Sequence, residues 1–206
     1  MEKRCMKNKN LLILFTRNPE LGRVKTRLAA SIGDQKALEI YKELLSHTQN
    51  IAINVNADKN LYYSESVVNF DAWDETVFSK KVQRGNDLGE KMLHAFKDGF
   101  TEGYEKIIII GSDIYDLQTS HICKAFDDLE KCDTVVGPAQ DGGYYLLGTK
   151  QLIPELFKHK KWGTESVLKD TISDLDGLFS VSFLEILNDI DVISDINPDS
   201  YLGKYL

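Results

Sequence analysis

KIIIIGSD, at Lys106–Asp113, sets four consecutive isoleucines ahead of a glycine, a serine and an aspartate. A continuous apolar run of this length that stops at a turn residue is typical of a strand buried on both faces. A second such run, LLILF at Leu11–Phe15, lies near the beginning of the chain. The two runs therefore predict the centre of a parallel sheet that is covered by helices on both sides.

The segments around these runs alternate between helix and strand patterns. Helices are predicted to begin at Asp34, at Asn86 or Asp87, at Thr119 or Ser120, and after Trp162–Thr164. Further strands are predicted at residues 51–57, 76–79, 133–139, 143–148 and 178–183. This alternation indicates an α/β protein, a three-layer α/β/α sandwich with a mostly parallel central sheet.

Composition narrows the class of protein. The 206 residues carry a net charge of −7, which argues against a nucleic-acid-binding or membrane-coating role. No apolar run approaches the roughly 20 residues of a membrane span. The three cysteines form no C-x-x-C motif, which is typical of reduced thiols in the cytoplasm. We expect a flexible tail over residues 1–10 and a single domain over residues 11–206, in the cytoplasm.

A basic loop follows the first apolar run. Arg17, Arg23, Lys25 and Arg27 fall within 11 residues, with Glu20 as the single acid among them. Ligands of open α/β sheets bind outside the carboxyl ends of the strands, where lysine and arginine suit phosphate groups. The segment GRVKT lacks the glycine and lysine spacing of a P-loop. The loop is therefore either a phosphate-binding loop of another kind or a solvated basic loop.

Asp113 comes directly after the isoleucine strand, at the predicted mouth of the sheet. A carboxylate there could hold a divalent cation against phosphate oxygens, because Mg²⁺ commonly uses one or two carboxylates plus substrate phosphates. The alternative is that Asp113 only caps the following turn. Asp116 is the better candidate for that local role.

The stretch GPAQDGGYYLLG, at Gly137–Gly148, places Asp141 ahead of two glycines and two tyrosines. Asp-Gly-Gly predicts a hairpin turn with tyrosines in the core. It is equally compatible with a site where the glycines allow a ligand to approach the backbone. Asp141 would then accept hydrogen bonds from sugar hydroxyls or take a proton from an acceptor.

The late segment NDIDVISD carries Asp189, Asp191 and Asp195. On an extended segment Asp189 and Asp191 point the same way, so they could complete a metal site begun by Asp113. The alternative is a solvated acidic turn.

Taken in order, six blocks of the sequence resemble a small family of transferases with the GT-A fold. The blocks are FTRNPELGRVKTRLA, QRGNDLGEKM, GSDIYDL, GPAQDGGYYLLG, WGTESVL and DIDVISDI, and they extend from about Leu11 to Asp195. The family was first catalogued as a domain of unknown function and is often called the arsenosugar-biosynthesis or selenodomain-associated glycosyltransferase family. The resemblance implies a Rossmann-like nucleotide-diphospho-sugar transferase fold, a nucleotide-sugar donor, a small-molecule acceptor and a divalent cation, Mg²⁺ or Mn²⁺.

By position, the resemblance also implies roles for residues in each block. Nucleotide and phosphate contacts are implied for Arg17, Gly22, Lys25, Arg27, Gln83, Gly85, Asp87 and Gly111. Sugar and acceptor contacts are implied for Gly142, Gly143, Tyr144, Trp162 and Thr164, with Asp141 as the catalytic carboxylate. A metal contact is implied for Asp113, and Asp191 would be a second metal ligand or a sugar contact. The sequence departs from the family at Ile114–Tyr115, where relatives commonly have Cys-Pro, and at Gln140, where Glu is usual.

Three functions are compatible with these residues. The first is metal-assisted transfer of a sugar from a nucleoside-diphosphate sugar to a small acceptor. The second is nucleotidyl transfer to a small phosphorylated metabolite. This reaction would use the same basic loop and aspartates for attack on an α-phosphate. The third is a transferase fold that binds a nucleotide without turnover, which the departure at Ile114–Tyr115 leaves open.

Overall fold

The computed structural model describes residues 9–69 and 71–206, and the bounds of its elements are as follows. The strands are β1 (Asn10–Thr16), β2 (Asp58–Tyr63), β3 (Phe78–Val82), β4 (Lys106–Ile110), β5 (Thr134–Pro138), β6 (Tyr144–Thr149) and β7 (Val181–Phe183). The α-helices are α1 (Thr26–Ile32), α2 (Asp34–Ile53), α3 (Leu88–Thr101), α4 (Thr119–Asp128) and α5 (Val167–Leu175). Short 3-10 helices lie at Pro154–Phe157, Ile193–Asp195 and Tyr201–Tyr205. The tail predicted over residues 1–10 falls outside the described residues except for its last two, and Asn10 already belongs to β1.

The strands form one seven-stranded sheet in the order β3-β2-β1-β4-β6-β5-β7. β6 runs antiparallel to both of its neighbours, whereas the other pairs are parallel. The isoleucine strand β4 lies between β1 and β6, and none of its four isoleucines is more than 4% exposed. The predicted α/β architecture with a mostly parallel sheet is therefore confirmed.

Alternate side chains of the central strands face two separate apolar layers. Leu12 and Leu14 of β1 pack in the layer that contains residues of α2 and α4. Leu11 and Ile13 pack in the opposite layer, with residues of α3 and α5. Because successive side chains of a strand point to opposite faces, the continuous apolar run supplies both layers at once.

The strand predicted at residues 51–57 is wrong. Helix α2 continues to Ile53, and Ile51 and Ala52 are buried on the same helical face as Leu44 and Thr48. Their spacing of three, four and seven residues fits a helix, and the short alternation that suggested a strand does not distinguish the two structures. The second strand is β2, which follows directly.

The basic loop is shorter than predicted, because Thr26 and Arg27 begin helix α1.

None of the helices in the described ranges is both long enough and apolar enough to cross a membrane.

Candidate active site

A cavity of about 730 Å³ opens at the carboxyl ends of β1 and β4. Its wall contains the basic loop, the turn before β6, the segment before α5 and the late aspartate segment. Of the residues singled out in the sequence, those that line it are Arg17, Arg23, Lys25, Arg27, Gln83, Gly111, Asp113, Asp141, Gly143, Tyr144, Trp162, Thr164, Asp189 and Asp191. The fold thus brings together residues from all six sequence blocks.

Four of the singled-out residues do not line the cavity: Gly22, Gly85, Asp87 and Gly142. Asp87 caps helix α3 by accepting a hydrogen bond from the Glu90 amide at 2.8 Å. Gly142 has φ +85°, and a Cβ there would lie 2.4 Å from the Glu165 carbonyl oxygen. These two residues shape the backbone beside the cavity rather than present a group to it.

Lys25 lies at the centre of the charged wall. Its ammonium is 3.2 Å from Asp113 Oδ2 and 4.0 Å from Asp191 Oδ1, and its side chain is only 8% exposed. The backbone of Lys25 is left-handed, with φ 47° and ψ 44°, immediately before α1. A non-glycine residue pays about 1–2 kcal/mol for that conformation. Such strain is characteristic of positions where the side chain has a role in function.

The late aspartate segment is joined to the end of β4. The Ile190 amide donates to the Asp113 carbonyl at 3.0 Å. Arg27 contacts the Asp191 carboxylate at 2.5 Å, so the basic loop and the aspartate segment are also joined by an ion pair. Asp195, in contrast, accepts hydrogen bonds from the Asp191 and Val192 amides and serves the local turn.

Asp189, which was predicted to join Asp191 in completing a metal site, also lines the cavity. Burial, and then the negative charges of Asp113 and Asp141, raise the pKa of Asp189 to about 6, while Lys25 opposes the shift. The charges of Asp113 and Asp141 therefore disfavour the ionised form of Asp189. The sequence alone could not show that Asp113, Asp141 and Asp189, which belong to three separate segments, come close together.

Replacing Asp189 by Asn is expected to stabilise the free protein at neutral pH. The folded-state pKa lies above the unfolded value of about 3.9, so ionisation disfavours the fold, and stability falls as the pH rises through about 4 to 6. The variant should therefore gain about 1 kcal/mol over the parent protein at pH 8 and close to nothing at pH 4. Paired thermal denaturation at the two pH values measures this, and an equal gain at both would contradict it.

Asp141 serves the turn and lines the cavity at the same time. Its Oδ1 accepts a hydrogen bond from the Gly143 amide at 2.8 Å, as in an Asx-turn. Its neighbour Ala139 donates to the Gly143 carbonyl at 3.0 Å, which closes the chain reversal before β6. The hairpin and site interpretations of this stretch are thus compatible, because the turn holds the carboxylate at the cavity wall.

Gln83 ties the strand ends together from inside the cavity. Its side-chain amide donates to the Thr16 carbonyl at 3.0 Å and to the Tyr62 carbonyl at 3.1 Å. These bonds join the ends of β1 and β2 to the segment after β3.

Tyr41 of α2 lines the cavity as well, although no sequence motif points to it. It is 3% exposed, and its hydroxyl lies 3.0 Å from Thr16 Oγ1 and 3.4 Å from Ser112 Oγ. The same oxygen accepts from the Arg17 amide at 2.8 Å and lies 3.2 Å from its carbonyl. One phenol thus connects the start of the basic loop with the residue before Asp113.

Replacing Tyr41 by Phe is expected to lower both the stability of the fold and the affinity of the cavity for a nucleotide. The Arg17 amide would lose its buried partner, at a cost of about 1–3 kcal/mol. Calorimetric titration with a nucleoside diphosphate sugar should show about tenfold weaker binding, because misplacement of positioned groups is costly. Tyr104→Phe is the control, because the buried phenol of Tyr104 donates a hydrogen bond to Asp58 of β2 and Tyr104 does not line the cavity. Equal nucleotide affinity in the two variants would show that Tyr41 stabilises the fold but does not position the nucleotide site.

The oxygen-rich lining suits a hard divalent cation. Asp113, Asp141 and Asp189 line one cavity, Asp189 feels the charges of the other two, and hard cations take oxygen ligands. Within residues 9–69 and 71–206, no group of three or more His, Cys, Asp or Glu side chains forms a closed metal-binding set. One or two carboxylates are sufficient where substrate phosphates complete the coordination of Mg²⁺.

This architecture, with a charged cavity at the carboxyl ends of the strands, is the Rossmann-like fold of nucleotide-diphospho-sugar transferases and cytidylyltransferases. Residues 47–164 match the family described as uncharacterized protein conserved in bacteria (DUF2064), and the chain belongs to that family. The resemblance seen in the sequence is therefore confirmed.

Several solved structures of other proteins are similar to this chain over nearly its full length. A proposed nucleotide-diphospho-sugar transferase from Desulfovibrio desulfuricans G20 is 28% identical, with a TM-score of 0.85 over 96% of this chain and 94% of that chain. The inositol-1-phosphate CTP transferase of T. maritima is 13% identical, with a TM-score of 0.57 over 95% of each chain. Rv0371C from Mycobacterium tuberculosis H37Rv, in complex with manganese, is 12% identical, with a TM-score of 0.51 over 90% of this chain and 94% of that chain. No curated protein sequence matched the chain.

Proposed function

We propose that the protein transfers a sugar from a nucleoside-diphosphate sugar to a small acceptor. The main support for this proposal is the position of Lys25. Its buried ammonium lies between Asp113 and Asp191, and its backbone is strained. Arg17 and Arg27 line the same cavity. The similarity to a proposed nucleotide-diphospho-sugar transferase over nearly the whole chain supports the donor class.

The basic groups would bind and stabilise the leaving diphosphate. As the bond between sugar and phosphate breaks, negative charge grows on the diphosphate oxygens. Lys25 and Arg27 are held in place by ion pairs with Asp113 and Asp191. Cations fixed in this way need little reorganisation during the reaction, which is the main source of electrostatic catalysis.

Asp113 and Asp191 would hold a divalent cation, Mg²⁺ or Mn²⁺, together with donor phosphates. When bound, the cation supplies positive charge that offsets the charge developing on the diphosphate. A manganese complex is known for the Rv0371C protein, which shares the fold.

Asp141 would orient the acceptor and receive its proton. The Gly143 amide fixes the carboxylate at the cavity wall, on the turn that leads into β6. A general base must come within hydrogen-bond reach of the proton that it removes, about 2.6–3.2 Å. Tyr144, Trp162 and Thr164 line the adjoining part of the cavity and would contact the sugar or the acceptor.

Nucleotidyl transfer is the second candidate, and the fold shared with cytidylyltransferases favours it. The same basic loop would then bind the pyrophosphate released from a nucleoside triphosphate. Cavity and charge are compatible with both reactions.

Product analysis separates these functions. The protein, with Mn²⁺ or Mg²⁺ and a bacterial metabolite extract as the source of acceptors, would be incubated with nucleoside-diphosphate sugars or nucleoside triphosphates and followed by phosphorus NMR. We expect a nucleoside diphosphate to appear from a sugar nucleotide. Pyrophosphate from a triphosphate, without any nucleoside diphosphate from the sugar nucleotides, would establish nucleotidyl transfer instead. Nucleotide binding without either product would contradict both reactions.

A further inference from the structure

One part of the cavity lining is apolar. It consists of Leu88, Met92, Tyr144, Trp162 and Val167, and we call it the apolar wall. Met92 and Val167 are each 4% exposed and belong to the packed surface of α3 and α5. Leu88, the first residue of α3, is 42% exposed even though it lies in the cavity. An open leucine in a concave site indicates a surface that a ligand covers.

The apolar wall is closely packed from behind. A Cβ at Gly89 would lie 2.6 Å from Trp162 Nε1, so a glycine in α3 allows the indole to close against the helix. The Tyr144 hydroxyl lies 3.9 Å from the Met92 sulfur, and thioether sulfur is a weak acceptor. Burial raises the pKa of Tyr144, so this phenol stays neutral. The five residues of the apolar wall therefore offer shape and apolar contact, and the nearest charge along α3 in the cavity lining is Lys91.

The chemistry of the apolar wall and of the charged part of the lining distinguishes their ligands. A diphosphate and a sugar match the cations and carboxylates of the cavity lining, and neither would cover Leu88 favourably. Asp141 and Gly143 line the cavity on the turn that leads into Tyr144 at the start of β6. A group on the apolar wall thus lies next to the carboxylate that would receive the proton of the acceptor.

We propose that the apolar wall binds an alkyl or aryl part of the acceptor and thereby selects acceptors that carry a hydroxyl beside an apolar group. This inference rests on the proposed function, in which an acceptor occupies this side of the cavity. It predicts that affinity increases with apolar size, by about fourfold for each methylene that is buried.

Binding of simple alcohols tests the proposal without any need for turnover. Saturation-transfer NMR would be recorded with ethanol, butanol, hexanol and benzyl alcohol, in the presence of uridine, guanosine or cytidine diphosphate. We expect affinity to rise along the alkanol series in the parent protein and the rise to be lost in Leu88→Ser. Leu178→Ser is the matched control, because Leu178 is 75% exposed and lies outside the cavity.

The outcomes separate this inference from the proposed function. Absence of a chain-length effect, or an equal effect in Leu88→Ser, would overturn the inference. Loss of nucleoside diphosphate affinity in Leu88→Ser would also overturn it, since the wall would then serve the base. Failure of sugar transfer would instead appear as the absence of a nucleoside diphosphate product, whatever the alcohols do. Melting temperatures of both variants verify that they are folded.

Discussion

Replacement of Lys25 by glycine is expected to weaken donor binding strongly while preserving the fold. The ammonium is the buried cation of the site, in contact with Asp113 and Asp191. Its loss removes charged hydrogen bonds to the diphosphate, each worth about 1.5–3 kcal/mol, or about 10- to 100-fold in affinity. Turnover should fall further, by about 10²- to 10³-fold, because the lost charge acts most strongly in the transition state.

The backbone of Lys25 supplies an internal control for this experiment. Glycine adopts the left-handed conformation without strain, whereas alanine does not. Lys25→Gly should therefore be more stable than Lys25→Ala by about 1 kcal/mol, although both bind the donor equally poorly. Lys42→Ala is the matched control, since Lys42 is exposed on α2 and outside the cavity. Calorimetry with a nucleoside diphosphate sugar measures the effect, and parental affinity in Lys25→Gly would refute the role of the ammonium.

Replacement of Asp113 by Asn is expected to remove the dependence of donor binding on a divalent cation. The carboxylate lies at the end of the central strand and faces the cavity. Asparagine keeps the shape but not the charge that a hard cation requires. Because a metal contributes several kcal/mol of charge stabilisation, the gain in donor affinity on adding Mn²⁺ should fall by about 100-fold.

Asp116→Asn is the matched control for this change. Asp116 is exposed, lies three residues further along the chain and does not line the cavity. Donor affinity would be measured by calorimetry in Mn²⁺ and in chelator for each protein. The same metal response in Asp113→Asn as in Asp116→Asn would exclude Asp113 as a metal ligand.

The centre of the fold was predictable because its signal is local. The isoleucines of β4 and the apolar run of β1 are buried on both faces, which is the pattern expected of parallel strands between helices. The aspartate that caps α3 was also predictable, since Asp87 precedes an amphipathic segment. The end of α2 was not, because Ile51 and Ala52 satisfy a helical face and a short alternation at once.

The site was predictable only in part. The basic loop and Asp113 follow buried strands, so their place at the sheet mouth follows from topology. Tyr41 could not be assigned, since its helical spacing is that of a core residue and its four polar contacts come from distant segments. The raised pKa of Asp189 was equally unpredictable. It depends on burial and on the charges of Asp113 and Asp141, which are more than 40 residues away in the sequence and come close only in the folded chain.

The most direct measurement is a crystal structure of the protein with Mn²⁺ and a nucleoside-diphosphate sugar. We expect a diphosphate in hydrogen-bond contact with Lys25 and Arg27, a cation beside Asp113, and a sugar facing Asp141. A nucleotide that binds outside the cavity at the ends of β1 and β4, or a diphosphate remote from Lys25, would contradict this expectation.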